Sequence, residues 1–327
     1  MDDPDDISTL AHELSNLELA LLLCLAGQEH CLIETADGTI NDVAAELALI
    51  CSQTYGLTYK VVELSDSTAL EEFRDQICLP TRREESHRTF DVVIAKNLDL
   101  ASESVQLEVL ELMRSKKLVL GDDTLEAPAH FLFVPVIVHD SGQVYPKLNA
   151  HLNDNLIISH LHDADDGYVY LEDDDWQSEG HASQSSVVHR TSAPESHHPS
   201  IERELLNRIQ HTGKRVRVTA ELVRYQQDIV VFLRLSRAVA GGISARSNIQ
   251  FTKLAKLLAV MHGIDYLTPS IVALAAKKVF RHRIVVAKPE DDRSLQYGSD
   301  LAAVARVLEY ATPDTILESV LMLEAPL

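Results

Sequence analysis

The alternation of strand-like and helix-like segments is the feature that most constrains the fold of this chain. In the first 160 residues, short apolar runs alternate with segments whose apolar residues recur at helical spacing. The clearest runs are HCLIE (30–34), FDVVIAKNL (90–98) and HFLFVPVIV (130–138). Strands that are covered on both faces are continuously apolar. The pattern therefore predicts an α/β fold with a parallel sheet core and helices on both faces.

Helical spacing predicts helices over 7–26, over 42–56 with Asp42 as the N-cap, and over 103–117. The sequence LVLGDDTLEAP (118–128) is typical of a hairpin that turns at Gly-Asp-Asp. These elements lie between the apolar runs. They supply the helices that a three-layer α/β domain requires.

The composition changes after residue 161 and again after residue 200. Residues 162–200 are rich in Asp, Glu, Ser and His and contain few apolar residues, so we expect a disordered acidic linker. Its scattered histidines have no ligand spacing, which favours a solvated linker over a metal site. The chain is thus divided into an α/β core (1–161), the linker (162–200), an all-helical lid-like part (201–290) and a C-terminal helical extension (291–327).

The helices of the C-terminal part are bounded by clear signals. A long amphipathic segment begins at Thr219 and is expected to stop at Gly241-Gly242, and a second helix is expected to end at Gly263. Thr268 and Pro269 fit the N-cap and first position of a third helix. Two further helices are predicted near 300–310 and 312–323.

The charge of the chain is strongly uneven. Residues 1–200 contain 11 Lys and Arg and 37 Asp and Glu, which gives a net charge of -26. Residues 201–327 contain 18 Lys and Arg and 13 Asp and Glu, which gives +5. Together they make the net charge of -21. Such an acidic surface repels nucleic acid and anionic lipid. We therefore expect protein partners, no nucleic acid, and attraction between the two parts or between copies in an assembly.

Cysteine usage favours a reducing compartment, and the charge of the N-terminus is unlike that of a targeting segment. The four cysteines form no C-x-x-C pair, and the start MDDPDD has the wrong charge for a targeting segment. The apolar stretch 17–26 is too short to span a membrane and contains Glu18. The expectation is a cytoplasmic protein without membrane insertion, with the nucleus as the alternative location.

The order of these segments, together with several motifs, resembles a known family. The carriers are HCLIE with its Gly-containing loop, VVIAKNLDLASESVQLEVLELM (92–113), GISARS (242–247), DYLTPSIVALA (265–275) and RHRI (281–284). They look like the MoxR and magnesium-chelatase I-subunit branch of the AAA+ ATPases. That branch implies a nucleotide-binding core, a helical lid, and partners such as AAA+ ring subunits or a chelatase-like complex.

The resemblance places the phosphate loop after HCLIE. A working loop reads G-x-x-x-x-G-K-[ST], and its four fixed positions fall on Thr35, Ile40, Asn41 and Asp42, none of which matches. Only an additional family glycine is retained, as Gly38. Asp42 places a carboxylate where a phosphate should bind. Each like-charge contact at about 4 Å costs on the order of 4 kcal/mol at an effective dielectric constant of about 20.

The second nucleotide motif is also altered. The resemblance places its two acidic positions at Lys96 and Asn97, where no carboxylate can organise Mg²⁺ or orient water. Lys96 has two interpretations. It fills the metal position with its own charge and pairs with Asp42, or it is an exposed lysine at the end of a strand.

The sensor positions follow the same trend, with one exception. The first sensor falls near Val138, and the segment LNDNL (152–156) contains no arginine to contact a neighbour. Arg246 matches the second-sensor arginine of the lid. Arg246 has two interpretations. Its guanidinium group reaches a γ-phosphate, as in the family, or it pairs with a core carboxylate such as Asp42 or Asp37. We favour the pairing with a carboxylate.

Loss at several independent positions predicts a non-catalytic AAA+ protein that acts as a regulatory or scaffolding member of a complex. No catalytic residue, metal ligand or cofactor is expected. The alternative is an active magnesium-chelatase-like ATPase subunit that binds ATP and Mg through a divergent site, in which Gly38 and Arg246 remain. A third hypothesis is an adaptor that acts through its acidic linker.

Overall fold

The structure is a computed structural model of the 327-residue chain. It describes residues 4–79, 87–120, 123–139, 148–163, 166–171, 200–322 and 325. Most of the predicted linker therefore lies outside the described residues.

The strands of the described residues form one large sheet and two small ones. In chain order they are β1 (His30–Thr35), β2 (Tyr59–Glu63), β3 (His87–Arg88), β4 (Val92–Lys96), β5 (Lys117–Leu120), β6 (Asp123–Glu126), β7 (Leu132–Val138), β8 (Leu156–His162), β9 (Val239–Gly241) and β10 (Val285–Val286). The five-stranded sheet has the order β2-β4-β7-β1-β8, and all its pairs are parallel. The predicted parallel α/β core is confirmed.

The register brings the carboxyl ends of the core strands to one edge of the sheet. Thr35 lies between Val138 on one side and His162 on the other, and Glu63 pairs with Lys96. In open α/β sheets, ligands bind outside this edge, where the strand order reverses. The edge is therefore the place where a nucleotide site should be sought.

The helices of the described residues are α1 (Pro4–Glu13), α2 (Asn16–Gly27), α3 (Ile40–Gln53), α4 (Leu70–Ile77), α5 (Glu103–Ser115), α6 (Ala150–Asn153), α7 (Arg203–Arg215), α8 (Ala220–Leu235), α9 (Ala245–Met261), α10 (Pro269–Phe280), α11 (Leu301–Leu308) and α12 (Pro313–Leu321). None of them is long and apolar enough to cross a membrane. They cover both faces of the sheet. Ile33, Ile94 and Val134 belong to the apolar cluster that includes α2 and α3. Leu32 and Phe133 belong to the cluster that includes α4 and α5.

The predicted single helix over 7–26 is wrong, because a capping box at Ser15 divides it into α1 and α2. The Ser15 hydroxyl accepts from the backbone N–H of Glu18, and the Glu18 carboxylate accepts from the N–H of Ser15 at 2.8 Å. Apolar residues continue through the break, so periodicity alone cannot reveal it.

Two predicted helix boundaries are also wrong. The helix after the phosphate-type loop begins at Ile40, so Asp42 lies in its first turn and is not the N-cap. Helix α8 ends at Leu235, well before Gly241-Gly242, because Val239–Gly241 pairs with β10 as an antiparallel strand. Gly242 follows this strand with φ 95°, and a Cβ there would lie 1.7 Å from the carbonyl oxygen of Arg283.

Other predicted boundaries are confirmed. The Thr268 hydroxyl caps α10 by accepting from the N–H of Ile271, and Pro269 is the first helical residue. Gly263 follows the end of α9 with φ 68°. The C-terminal helices α11 and α12 are present, and α12 packs against α8 and α10.

Candidate nucleotide site

The loop between β1 and α3 is closed by its own hydrogen bonds. It forms a 3-10 turn over Asp37–Thr39. The backbone N–H of Thr39 donates to the carbonyl of Ala36 at 3.1 Å, and the Thr39 hydroxyl donates to the same carbonyl at 3.0 Å. The Thr39 hydroxyl also lies 2.6 Å from the Thr35 hydroxyl. A phosphate loop needs backbone N–H groups that point at the anion. In this loop the backbone N–H of Thr39 already donates to the Ala36 carbonyl within the turn.

Gly38 lies exposed in this turn without a conformational need for glycine. Its φ is outside the left-handed region, and an added Cβ would meet no atom within 4 Å. Glycines of a phosphate loop are needed because the backbone must approach the phosphates closely. No atom of the described residues lies close enough to Gly38 to require the absence of a side chain there.

Lys96 joins the sheet edge to the start of α3. Its Nζ donates to the Asn41 side-chain oxygen at 2.7 Å and to a Glu63 carboxylate oxygen at 3.0 Å. The Lys96 side chain is only 12% exposed. The predicted contact with Asp42 is therefore wrong. Asn41 is the residue that contacts Lys96, and both Asn41 and Asp42 are exposed in the first turn of α3.

Asn97 has a backbone role. It adopts the left-handed conformation with φ 57°, which asparagine tolerates better than most residues, and its N–H donates to the carbonyl of Val136 at 2.9 Å. It begins the 3-10 turn Leu98–Leu100. Neither Lys96 nor Asn97, the positions predicted for the second motif, carries a carboxylate at this edge.

The position predicted for the first sensor is apolar, but the next residue is not. Val138 is half-buried beside Thr35, and the N–H of His139 donates to the carbonyl of Thr35 at 2.7 Å. The His139 ring lies 2.8 Å from the Glu34 carboxylate, and this hydrogen bond raises the pKa of His139. Sequence reasoning missed this pair because neither residue belongs to a nucleotide motif.

A short stretch after β8, Asp166–Leu171, packs over α3, and we call it the covering segment. The Tyr168 side chain lies beside the Thr39 side chain. The backbone N–H groups of Tyr170 and Leu171 donate to the buried Glu46 carboxylate at 3.0 Å. Burial raises the pKa of Glu46.

The covering segment falls within the predicted linker, yet Tyr170 is buried and donates to Glu18 at 2.7 Å. The expectation that the linker is unstructured from its first residues is wrong here. Two tyrosines and two buried carboxylate acceptors, Glu46 and Glu18, hold this polar segment in place, and composition averaged over 162–200 does not show this.

Arg246 is far from this edge within the chain. It lies in the first turn of α9, and its Nη2 is 3.9 Å from a Glu29 carboxylate oxygen with the side chain 43% exposed. Glu29 precedes β1, and the six residues of that strand span about 20 Å. The structure therefore does not bring Arg246 to Gly38. The predicted pairing of Arg246 with Asp42 or Asp37 is also wrong.

His282 and Arg283, which belong to the RHRI motif, join the lid helices to the core. Arg283 is 2% exposed, and its Nη2 donates to the Leu156 carbonyl at 2.6 Å and to the Gln250 side-chain oxygen. Asn153 donates to the backbone carbonyl of His282 at 2.8 Å. Burial lowers the pKa of Arg283 to about 10.

Comparison with known proteins places this geometry in context. The model of the AAA lid domain family matches residues 232–304. A crystal structure of a proposed ATPase from Cytophaga hutchinsonii has a TM-score of 0.67 at 15% sequence identity, and the match covers 99% of this chain and 94% of that one.

Two curated relatives carry the name Maintenance of telomere capping protein 2. The protein of Lachancea thermotolerans is 32% identical over 110 residues, which is 32% of this chain, and that of Kluyveromyces lactis is 30% identical over 107 residues, or 28% of this chain. Each match spans 39% of the relative's length. The lid match and the structural likeness agree with the sheet order and the lid packing described above. The chain has the α/β fold of AAA+ proteins, a parallel sheet core joined to a helical lid.

Proposed function

We propose that this chain is a non-catalytic protein of AAA+ type, similar to the MoxR and magnesium-chelatase branch, that acts as a regulatory or scaffolding member of a protein complex. The observation that carries the proposal is the position of Lys96. Its ammonium group, bonded to Asn41 and Glu63, lies at the end of the strand where an ATPase holds Mg²⁺ with a carboxylate.

Electrostatics at this edge oppose ATP–Mg²⁺ from two sides. The Lys96 ammonium repels a divalent cation, and the exposed Asp42 carboxylate repels a phosphate. At about 4 Å and an effective dielectric constant of about 20, each unit like-charge contact costs on the order of 4 kcal/mol. The closed turn at Thr39 adds the cost of breaking its hydrogen bonds. The site is thus better suited to hold α3 against the sheet than to bind a nucleotide.

The name of the curated relatives guides the choice of pathway. We infer a role in the maintenance of telomere capping, in preference to magnesium chelation, and hence a nuclear location. Since the acidic N-terminal part repels nucleic acid, the role we propose is contact with proteins of a capping complex and not with DNA.

One observation favours the alternative of an active ATPase subunit. Arg246 is half-exposed and lies far from the loop of its own chain, so it is available to a neighbouring subunit in a ring. That alternative still needs a phosphate loop and a Mg²⁺ carboxylate, and it requires rearrangement of the closed turn and of the Lys96 contacts.

Restoration of the motifs tests the proposal. We expect no ATP turnover from the wild type or from Asn41→Lys/Asp42→Thr. The loop-only variant should also lose stability, because Asn41→Lys removes the oxygen that accepts from Lys96 Nζ at 2.7 Å and brings a second ammonium group near it. The matched variant adds Lys96→Asp and Asn97→Glu, which removes that repulsion and supplies both carboxylates. Turnover by wild type or by the loop-only variant at about 1 s⁻¹ or faster would overturn the proposal.

A further inference from the structure

The carboxyl end of β8 carries a cluster of side chains that the nucleotide motifs do not include. His160 and His162 are two residues apart on the strand, so both lie on the same face. Asp166, the first residue of the covering segment, lies beside them. One ligand atom from each of the three residues lies within 4.8 Å of the other two.

Both imidazoles are buried without sufficient polar partners. His160 is 7% exposed and His162 is 3% exposed. Among the described residues, no hydrogen-bond partner is found for either ring nitrogen of His162. The same is true of the Nε2 atom of His160. A buried polar atom without a partner costs about 1–3 kcal/mol. The unpartnered atoms belong to two neighbouring imidazoles, and the Asp166 carboxylate lies 3.9 Å from His162 Nδ1, which is the distance at which a ligand could join the two side chains.

The protonation state suits a metal. Burial, with a smaller contribution from Lys278, lowers the pKa of His160 to about 4, and burial also lowers the pKa of His162. Both rings are therefore neutral near pH 7, which is the form that binds metal ions. Nearby negative charge comes from Asp166, Asp163 and Glu34.

The nearest cation leaves the site open. Lys278 of α10 lies with its Nζ 3.5 Å from His160 Nδ1, so the contact occupies the nitrogen other than the unpartnered Nε2. The Lys278 pKa is lowered, chiefly by burial and then by Arg281. The Tyr168 ring packs against His162 with centroids 5.1 Å apart and covers another side.

We propose that His160, His162 and Asp166 bind one divalent transition-metal ion, with Zn²⁺ as the best fit. Two imidazoles and one carboxylate are a ligand set that Zn²⁺ accepts, with water at the fourth position of a tetrahedral site. Ligand atoms of such a site are about 3.4 Å apart at metal–ligand distances of about 2.0–2.1 Å. The three ligand atoms lie within 4.8 Å of one another before an ion binds, so binding requires them to move closer together.

The position of Asp166 determines how an ion would enter the site and what its binding would do. The Asp166 side chain is partly exposed, so an ion can enter from its side. A bound ion ties the covering segment to β8 and thus holds Tyr168 over the closed turn at Thr39. The metal would have a structural role beside the former nucleotide edge.

Calorimetric titration of the full chain with Zn²⁺, after removal of metal by a chelator, tests the proposal. We expect one high-affinity ion per chain with a dissociation constant below about 1 μM, which is about -8 kcal/mol. His162→Phe should abolish this binding. Because it replaces an unpartnered buried imidazole by an apolar ring, it should leave the metal-free protein folded and at least as heat-stable as wild type.

Two controls separate this site from other histidines. A variant with the four histidines of residues 181–198 replaced by Ala (His181, His189, His197 and His198) should keep the high-affinity ion. Co²⁺ in wild type should give the visible absorption of a tetrahedral site, absent in His162→Phe and Asp166→Asn. The proposal is overturned if Zn²⁺ affinity survives in His162→Phe, or if it is lost in the linker variant.

Discussion

Gly242 lies where the lid strands β9 and β10 approach each other, and Gly242→Ala tests how tightly that approach is constrained. The added Cβ would lie 1.7 Å from the Arg283 carbonyl oxygen and 2.7 Å from its carbonyl carbon. Both atoms belong to the backbone, so no side-chain rotation relieves the overlap. The φ of 95° is also unfavourable for any residue with a Cβ.

The cost has two parts. Strained backbone at a non-glycine residue costs about 1–3 kcal/mol. Separating the two strands by more than 1 Å also weakens the pairing of Gly241 with Val285, at about 1 kcal/mol for each hydrogen bond. Displacement of Arg283 from Leu156 adds a similar amount. We expect a loss of about 4 kcal/mol, equivalent to a fall in Tm of about 8 °C or more.

Two other glycines isolate the contributions. Gly56 has φ 57° and open space around it, so Gly56→Ala should cost about 1–2 kcal/mol for the left-handed backbone alone. Gly38 has open space and no positive φ, so Gly38→Ala should leave stability unchanged or raise it by up to about 1 kcal/mol. Thermal and urea unfolding of the three variants provide the assay. A Gly242→Ala protein as stable as Gly56→Ala would refute the close approach of the lid strands.

Three further predictions concern charged and titratable groups. Lys96→Met should lower the free energy of unfolding by about 1–2 kcal/mol in urea titration, whereas Lys117→Met, which removes an exposed ion pair, should lower it by less than about 1 kcal/mol. Arg283→Ala should cost about 3 kcal/mol or more because it leaves buried acceptors unpaired, and Arg246→Ala less than about 1 kcal/mol, as judged from Tm shifts. Because the pKa of His160 falls from 6.5 to about 4 on folding, the unfolded chain binds more protons between these pH values. In metal-free protein, stability should therefore drop by roughly 3 kcal/mol as the pH falls from 6.5 to 4, and His160→Leu should remove this contribution.

The sheet and the lid were predictable because they depend on patterns that the sequence shows directly. Runs such as FDVVIAKNL have no polar face, which is possible only when helices cover both sides of a strand. The cap at Thr268 with Pro269 likewise needs only local residues. The break at Ser15 was missed because apolar residues occur on both sides of it and because the break depends on the capping hydrogen bonds between Ser15 and Glu18.

The contacts of the candidate site depend on distances along the folded chain that sequence patterns do not give. Lys96 bonds Asn41 and not the adjacent Asp42, because successive residues in the first turn of α3 point in different directions and only Asn41 lies within reach of Lys96 Nζ. Arg246 meets Glu29 because the lid packs at the amino end of β1. The His160–His162–Asp166 cluster had one local signal, the spacing H-x-H on a strand, but the third residue joins them only through the turn after β8.

Titration calorimetry of the full chain with ATP in the presence of Mg²⁺ tests most directly whether the nucleotide edge has lost its function. The positions of Lys96 and Asp42 and the closed turn at Thr39 predict no binding heat at ligand concentrations up to the millimolar range. The Asn41→Lys/Asp42→Thr/Lys96→Asp/Asn97→Glu variant measures whether the same fold can bind once those charges are changed. A dissociation constant below about 1 mM for the wild type, a binding free energy of about -4 kcal/mol or stronger, would contradict the non-catalytic assignment.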